Sequence, residues 1–101
     1  MSRWVKVAED SELNEQLGIE IDGKRIALFR LEEGIHALDD VCSHEYSLLS
    51  EGEIWDGEVY CVKHGSRFDI RSGAVKSLPA FESVDSHAVK VESGEIYVEL
   101  E

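Results

Sequence analysis

The chain has 101 residues, of which 43% are hydrophobic and 32% are charged, and its formal net charge is −12. A chain of this length and composition is expected to form one folded domain, residues 1–101, rather than two domains or a disordered segment. The acidic charge excludes nucleic acid and an anionic membrane surface as expected partners, because phosphate groups are bound by basic surfaces. No apolar stretch is long enough for a signal peptide or a membrane span, so we expect a cytoplasmic protein.

Short apolar stretches separated by turn residues predict an all-β fold from the N-terminus onward. Trp4–Val7 is predicted to be the first strand, and the polar stretch Ser11–Gly18 is expected to contain a single helical turn. Ile19–Ile21 and Arg25–Leu31 are the next two predicted strands. Asp22-Gly23 lies between them and favours a tight hairpin, since both residues tolerate a positive φ.

The strand pattern continues with Ile35–Leu38, joined to the preceding strand across Glu33-Gly34, and then stops. The following stretch, residues 39–70 approximately, contains both cysteines, two of the four histidines and three glycines. We therefore expect an irregular insert in a β-scaffold, and we expect this insert to hold the chemistry of the protein.

The C-terminal part of the chain returns to predicted strands. After a turn at Ser72-Gly73 and a loop around Pro79, the strands Val84–Val91 and Ile96–Leu100 are expected to close the domain across Ser93-Gly94. The last strand alternates apolar and polar residues, which is the period of a half-buried strand.

Two pairs of potential metal ligands lie within the insert. Cys42-Ser43-His44 offers a thiolate and an imidazole, and Cys61-Val62-Lys63-His64 offers the same two groups after sixteen intervening residues. Zinc sites usually place roughly two to four residues between the ligands of one pair, so the single spacer of the first pair favours a two-iron cluster. In such a cluster Cys42 and Cys61 can share one iron while His44 and His64 share the other. A zinc ion that only stabilises the fold is the alternative.

The sequence resembles the Rieske family, whose pattern is Cys-x-His followed at a similar separation by Cys-x-x-His. The resemblance continues through Gly65–Asp69, Ser72-Gly73 and Leu78-Pro79, and it extends from about Trp4 to Leu100. It implies a small antiparallel β-sandwich base with an inserted two-loop cluster-binding subdomain at about residues 39–70. It also implies one 2Fe–2S cluster, covered by the proline loop and held by Cys42, His44, Cys61 and His64. Val62, where many members have proline, and Lys63 depart from the family pattern.

Stand-alone Rieske proteins resemble the ferredoxin components of bacterial aromatic-ring dioxygenase systems. The resemblance implies a monomeric one-electron carrier, not itself an enzyme, between an NAD(P)H-dependent flavoprotein reductase and a terminal Rieske non-haem iron oxygenase. A low reduction potential is expected because Phe68 stands where quinol-oxidising members carry a tyrosine that bonds a ligand sulfur. The alternatives are a Rieske-like small subunit of a nitrite reductase, an electron donor to another oxidase or hydroxylase, and the structural zinc module.

Two histidines and three aromatic residues have plainer interpretations. His36 and His87 have no cysteine nearby in sequence and are expected to be ordinary surface or packed histidines. Trp4, Trp55 and Phe68 are expected in the core or over the cluster, because large aromatic side chains dominate small cores.

Charged residues of the insert are expected to stabilise and surround the site. We expect Asp69 to fix its loop by hydrogen bonding. An acidic rim, with Arg67 as part of the same surface, is expected to be solvated, and a contribution to docking is the alternative: Glu45, Glu51, Glu53, Asp56 and Glu58.

Overall fold

The computed structural model describes residues 3–41, 48–61, 65–76 and 83–100. Its helices within these ranges are two single 3₁₀ turns, Asp10–Glu12 and Leu49–Glu51, and no helix there is long and apolar enough to span a membrane. The remaining regular structure is β-strand, so the all-β expectation is confirmed. The strands are β1 (Arg3–Glu9), β2 (Gln16–Ile21), β3 (Lys24–Leu31), β4 (Gly34–Asp39), β5 (Glu53–Trp55), β6 (Glu58–Tyr60), β7 (Arg67–Asp69), β8 (Ser86–His87), β9 (Val89–Glu92) and β10 (Glu95–Leu100).

These strands form three antiparallel sheets in the described ranges. The first sheet has the order β1-β10-β9, the second β2-β3-β4-β8, and the third β5-β6-β7. The third sheet lies entirely within the segment that the sequence predicts to be an irregular insert. The insert is therefore more regular than expected, because it contains a sheet of its own.

The first sheet joins strands from opposite ends of the chain. β1 pairs with β10, with Val5 opposite Val98, and β10 also pairs with β9. Ile96, Val98 and Leu100 are each at most 6% exposed, while their neighbours along β10 are partly exposed. The predicted alternation of the last strand is confirmed.

The second sheet begins with the predicted hairpin. Asp22 and Gly23 have φ values of 53° and 81°, the positive values that a tight turn between β2 and β3 requires. The expected helical turn is present at Asp10–Glu12, but the prediction for the rest of Ser11–Gly18 is wrong in part. Gln16 already belongs to β2 and pairs with Phe29, because strand pairing outweighs the polar character of this stretch.

The second sheet is the middle layer, since four consecutive residues of β3 are fully buried. Ile26 and Leu28 belong to an apolar cluster shared with the first sheet, and Ala27 and Phe29 to a second cluster shared with the third. Side chains alternate across a strand, so each face of the sheet carries one core. We call these the base core (Ala8, Leu13, Ile26, Leu28, Ala37, Ile96, Val98 and Leu100) and the site core (Ala27, Phe29, Leu38, Leu49, Val59, Cys61, Phe68, Ile70 and Val84).

The expected single strand Val84–Val91 is wrong. β8 pairs with β4 in the second sheet, whereas β9 pairs with β10 in the first. Ala88 lies between them, and its carbonyl accepts a hydrogen bond of 3.0 Å from the Glu99 amide. The chain thus changes sheets at Ala88.

Candidate metal centre

The structure describes one of the four predicted ligands. Cys61 directly follows β6, is 2% exposed, and belongs to the site core. Cys42, His44 and His64 lie outside the described residues, as do Val62 and Lys63. The burial of Cys61 places the sulfur of this predicted ligand in the apolar site core.

The second ligand segment is the connection of the β6–β7 hairpin. Tyr60 and Arg67 form the last pair of that ladder, and the Cys61 amide donates a hydrogen bond of 2.8 Å to the Ser66 carbonyl. The Gly65 amide donates a further hydrogen bond of 2.9 Å to the Cys61 carbonyl. The hairpin therefore fixes both ends of the segment that carries Cys61 and His64.

Gly65 has a backbone conformation that favours glycine. Its φ is 72°, in the left-handed region, and a Cβ built at this position would meet no described heavy atom within 4 Å. The glycine is thus favoured by its backbone conformation.

The first ligand segment, residues 42–47, is closed at its base by backbone contacts. Val41 forms a bridge with Leu48, and the Leu49 amide donates a hydrogen bond of 2.6 Å to the Asp40 carbonyl. Leu49 is fully buried in the site core. The residues on either side of this segment are therefore held together.

Asp40 strengthens the same base with its side chain, although sequence analysis did not identify it. The carboxylate is fully buried and accepts hydrogen bonds from the Ser50 amide at 2.7 Å and the Ser50 hydroxyl at 2.9 Å. Arg25 donates a third, at 2.9 Å from Nη2, and this pairing offsets the cost of burying the charge. Asp40 stands two residues before Cys42, but nothing in one sequence distinguishes it from Asp39.

β2 is shaped to accept this buried charge. A Cβ on Gly18 would meet Ser50 Oγ first and would lie 2.8 Å from Arg25 Nη2 and 2.9 Å from Asp40 Oδ2, so a larger residue would have to displace these hydrogen-bonded groups. Gln16 donates hydrogen bonds from Nε2 to the carbonyl of Ser50 and, at 2.9 Å, to that of Gly52. The second sheet therefore supports the base of the first ligand segment directly.

The predicted proline loop is also anchored at both ends, although Leu78 and Pro79 themselves lie outside the described residues. Val75 forms a bridge with Phe68, and the Val75 amide donates a hydrogen bond of 3.0 Å to the Ser83 hydroxyl. The Val84 amide donates another, of 2.9 Å, to the Gly73 carbonyl. Because Phe68 and Val84 are site-core residues, the bases of all three segments meet at this core.

Asp69 and the two remaining histidines have the plain roles that the sequence predicts. Asp69 Oδ2 accepts hydrogen bonds from the amide of Ser72 at 3.0 Å and from its hydroxyl at 2.6 Å, which confirms that Asp69 fixes its loop. His36 Nε2 lies 2.7 Å from Glu33 Oε2, and His87 Nε2 lies 2.7 Å from Asp39 Oδ1.

An ion pair links the second sheet to the loop after β7. Arg71 donates to both carboxylate oxygens of Glu33, at 2.6 Å from Nε and 3.0 Å from Nη2. Mainly through this interaction with Arg71, the pKa of Glu33 is lowered to about 2. Both residues are about half exposed, so the pair is a surface link between two layers.

Of the two positions expected for the three aromatic residues, the core is correct for Phe68 and wrong for both tryptophans, and a position over the cluster stays a prediction. Phe68 is fully buried in the site core, as expected, but Trp4 is 41% and Trp55 is 72% exposed. Neither tryptophan is therefore a core residue. Trp4 packs instead against Lys90, whose Nζ lies 4.6 Å from the ring centroid.

The acidic rim is exposed where it is described. Glu51, Glu53 and Asp56 are exposed, and Glu58 is half-buried and pairs with Arg67 at 3.2 Å. Glu45 lies outside the described residues.

The described donor and its surroundings fit an iron–sulfur cluster. A buried thiol in an apolar core can supply a soft ligand, and among the described residues no heavy atom lies within 4 Å of a Cβ built on Gly65. No set of three or more metal-ligating side chains occurs within the described ranges, which contain only Cys61 of the predicted four.

Comparison with known families identifies the class of this protein. Residues 3–88 match the model of the Rieske [2Fe-2S] domain, and the chain belongs to this family. The predicted fold class and the predicted cofactor, one Rieske-type 2Fe–2S cluster, are thereby confirmed.

Its relatives are electron-carrier subunits. The chain is 39% identical to the anthranilate 1,2-dioxygenase ferredoxin subunit of Burkholderia cepacia over 77 residues, 76% of this chain and 71% of the relative. It is 29% identical to the naphthalene 1,2-dioxygenase ferredoxin component of Pseudomonas putida over 100 residues, 97% and 96% of the two chains. The chain is therefore a Rieske-type ferredoxin, an electron-transfer protein rather than an enzyme.

A solved complex contains a similar chain. A structure described as the complex of reduced oxygenase and oxidized ferredoxin in carbazole 1,9a-dioxygenase matches this chain with a TM-score of 0.86 and 28% identity. The match covers 94% of this chain and 91% of that one.

Proposed function

We propose that this chain carries one electron at a time from an NAD(P)H-dependent flavoprotein reductase to a terminal Rieske non-haem iron oxygenase. The observation that carries the proposal is the buried Cys61 at a hairpin connection in a chain of the Rieske family. The naming of its relatives as ferredoxin components, and the oxygenase complex of a similar chain, support this pair of partners.

The proposed cluster ligands are Cys42 and Cys61 on one iron and His44 and His64 on the other. The spacing of the two pairs in sequence supports this assignment, as does the position of Cys61. When bound, the cluster supplies reversible one-electron chemistry. The proposed cluster-binding subdomain remains at residues 39–70, within a single domain of residues 1–101.

The described residues contribute rigidity and exclusion of water. The site core buries Cys61, and Asp40, Asp69 and Ser83 tie down the segments around it through the hydrogen bonds given above. A ligand set held by packing and hydrogen bonds changes little between the two oxidation states, which favours fast transfer.

We also propose a low reduction potential, about −150 mV, at the lower end of the Rieske range. Phe68 is fully buried beside Cys61 in the site core and has no hydroxyl to donate to a ligand sulfur. A redox titration with a clearly positive midpoint would contradict this value.

The proposed carrier is a cytoplasmic monomer. A net charge of −12 opposes self-association through like-charged surfaces and favours docking to basic protein surfaces. Sedimentation of the holoprotein as a dimer would contradict the monomer.

The first experiment is spectroscopic. Visible absorption and low-temperature EPR of freshly purified protein, oxidised and then reduced with dithionite, are expected to show a brown sample with an averaged g-value below that of an all-cysteine cluster. A colourless, EPR-silent sample with stoichiometric zinc after anaerobic preparation would establish the structural zinc module instead.

The second experiment is reconstitution with partners from the same organism. NADH, the flavoprotein reductase and the oxygenase should give product only when this chain is added. Activity of this chain in a nitrite reductase would replace the proposed partners and leave the electron-carrier assignment intact. Activity with another oxidase or hydroxylase, and not with the oxygenase, would have the same meaning.

A further inference from the structure

The outer face of the third sheet differs from its inner face. Ile54, Val59 and Phe68 point toward the site core, with Val59 and Phe68 fully buried. The alternate residues of the same strands point outward and are exposed or half-buried. They form what we call the outer face: Glu53, Trp55, Glu58, Tyr60, Arg67 and Asp69.

Trp55 is the most exposed large apolar side chain of the described residues, at 72%. It differs from the other exposed tryptophan, because Trp4 is covered in part by Lys90 at 4.6 Å from its ring. Trp55 has no such cation over its ring among the described residues. Exposed tryptophan is costly in water and is typical of interface centres, so Trp55 is suited to a partner.

The charge around Trp55 specifies the chemistry of that partner. Glu53 lies two residues before Trp55 on the same face, and Asp56 follows it in the turn. Both are exposed, and neither forms an ion pair with any described residue. Lysine or arginine side chains of a partner can therefore pair with these carboxylates and lie over the indole ring.

The strands of the outer face also lead to Cys61, one of the proposed cluster ligands. Trp55 lies opposite Glu58, and Cys61 is three residues further along the same chain. At the rise of a β-strand this corresponds to about 10 Å. Trp55 lies at the turn end of the β5–β6 hairpin and Cys61 follows the other end of β6, so a protein docked on the outer face covers the sheet from Trp55 toward Cys61, which itself packs on the inner side.

We propose that the outer face docks the terminal oxygenase, through a basic surface with an apolar recess that receives Trp55. This proposal rests on the proposed function, and the oxygenase complex of a similar chain favours this partner. A second copy of this chain does not fit, because each copy carries a net charge of −12. Nucleic acid and anionic lipid are excluded by the same charge.

The test measures binding of the oxidised holoprotein to the oxygenase that the wild-type chain reduces in the reconstitution. Trp55→Ala is expected to raise the dissociation constant about 30-fold, the effect of losing a central interface residue. Trp4→Ala is the matched control and should bind as the wild type does. The midpoint potential of both variants should remain that of the wild type, because both tryptophans are exposed and neither belongs to the site core that contains Cys61.

Charge variants test the second part of the proposal. The double variant Glu53→Gln, Asp56→Asn should slow association and weaken its dependence on salt. The matched double variant Glu15→Gln, Glu20→Gln removes the same charge from exposed positions at and before β2, and should leave the salt dependence close to that of wild type.

The outcomes separate this proposal from the proposed function. If the wild type reduces the oxygenase but Trp55→Ala binds it as tightly as wild type, the docking proposal is overturned and the function stands. If Trp55→Ala impairs reduction by the reductase alone, the outer face serves the reductase and the proposal is likewise overturned. If the wild type reduces no oxygenase, the proposed function fails, and the docking partner fails with it.

Discussion

The base core and the site core are closed by different kinds of interaction. The base core lies between sheets whose strands pair over long stretches, as β1 does with β10 from Arg3 to Glu9. The site core faces a sheet of three-residue strands, and both buried polar residues of the described chain, Asp40 and Ser66, belong to this half. In the half of the molecule that carries the proposed ligand segments, the backbone hydrogen-bond ladders are short, and side-chain hydrogen bonds stabilise the structure in their place.

The largest effect is expected from removing a proposed ligand. Cys61→Ser and His64→Ala should each reduce iron and sulfide per chain to about a tenth or less of wild type, because the cluster loses one of four bonds to the protein. His36→Ala is the control, since His36 pairs with Glu33 instead. Retention of the cluster in His64→Ala, or its loss in His36→Ala, would show that the ligand set is wrong.

A smaller but global effect is expected from cavities in the two cores. Phe68→Ala and Ile96→Ala each remove a fully buried side chain and should lower the free energy of unfolding by about 4 and about 3 kcal/mol. Only Phe68→Ala should also shorten the lifetime of the cluster in air, because Phe68 shares the site core with Cys61. Equal cluster lifetimes in the two variants would contradict the separation of the cores. Denaturant titration and visible absorbance measure the two effects.

Asp40 and its neighbour Asp39 allow a second comparison, between a buried and a partly exposed carboxylate at the base of the first ligand segment. Asp40→Ala leaves Arg25 without its buried partner and should cost about 3 kcal/mol. Asp39→Ala breaks contacts of a partly exposed carboxylate and should cost about 1 kcal/mol or less. Asp40→Ala should also broaden the EPR signal of the reduced cluster, and a signal identical to that of Asp39→Ala would show that the base of the first segment does not govern the cluster.

The smallest effect on folding stability is expected from breaking the surface ion pair between Glu33 and Arg71. Folding lowers the pKa of Glu33 from 4.5 to about 2, so its carboxylate stabilises the folded protein above pH 4.5. This stabilisation is lost as the pH falls from 4.5 through about 2. Denaturation curves of wild type and Glu33→Gln should therefore differ at neutral pH and converge near pH 2.

Glu32→Gln is the control for that comparison, because Glu32 lies beside Glu33 and forms no ion pair with a described residue. Its curve should stay close to that of wild type. A difference for Glu33→Gln that persists unchanged at pH 2 would assign the effect to something other than its ionised carboxylate.

The sequence predicts the base better than the site, for a physical reason. The alternation in Glu95–Leu100 and the turn at Asp22-Gly23 are local signals, and both are confirmed. The change of sheets at Ala88 depends on which distant strand each half of Val84–Val91 pairs with, and no local pattern records that choice.

The same limit applies to single residues of the site. Trp55 is exposed because it lies on the outer face of the third sheet, and its apolar character alone would predict burial. Asp40 acquires its role only when Arg25 and Ser50 meet it across the fold. The motif of the proposed ligands is recognised easily, because its cysteine and histidine are close together in each half.

The pairing of β1 with β10 has a consequence for biosynthesis. β1 emerges from the ribosome first but has no partner in the first sheet until β10 follows, about 90 residues later, which takes on the order of 10 s. During this interval the apolar side of β1 lacks this partner and can bind chaperones. Loss of β10 by truncation would leave β1 without its partner permanently. The third sheet is free of that delay, because its strands all lie within residues 53–69.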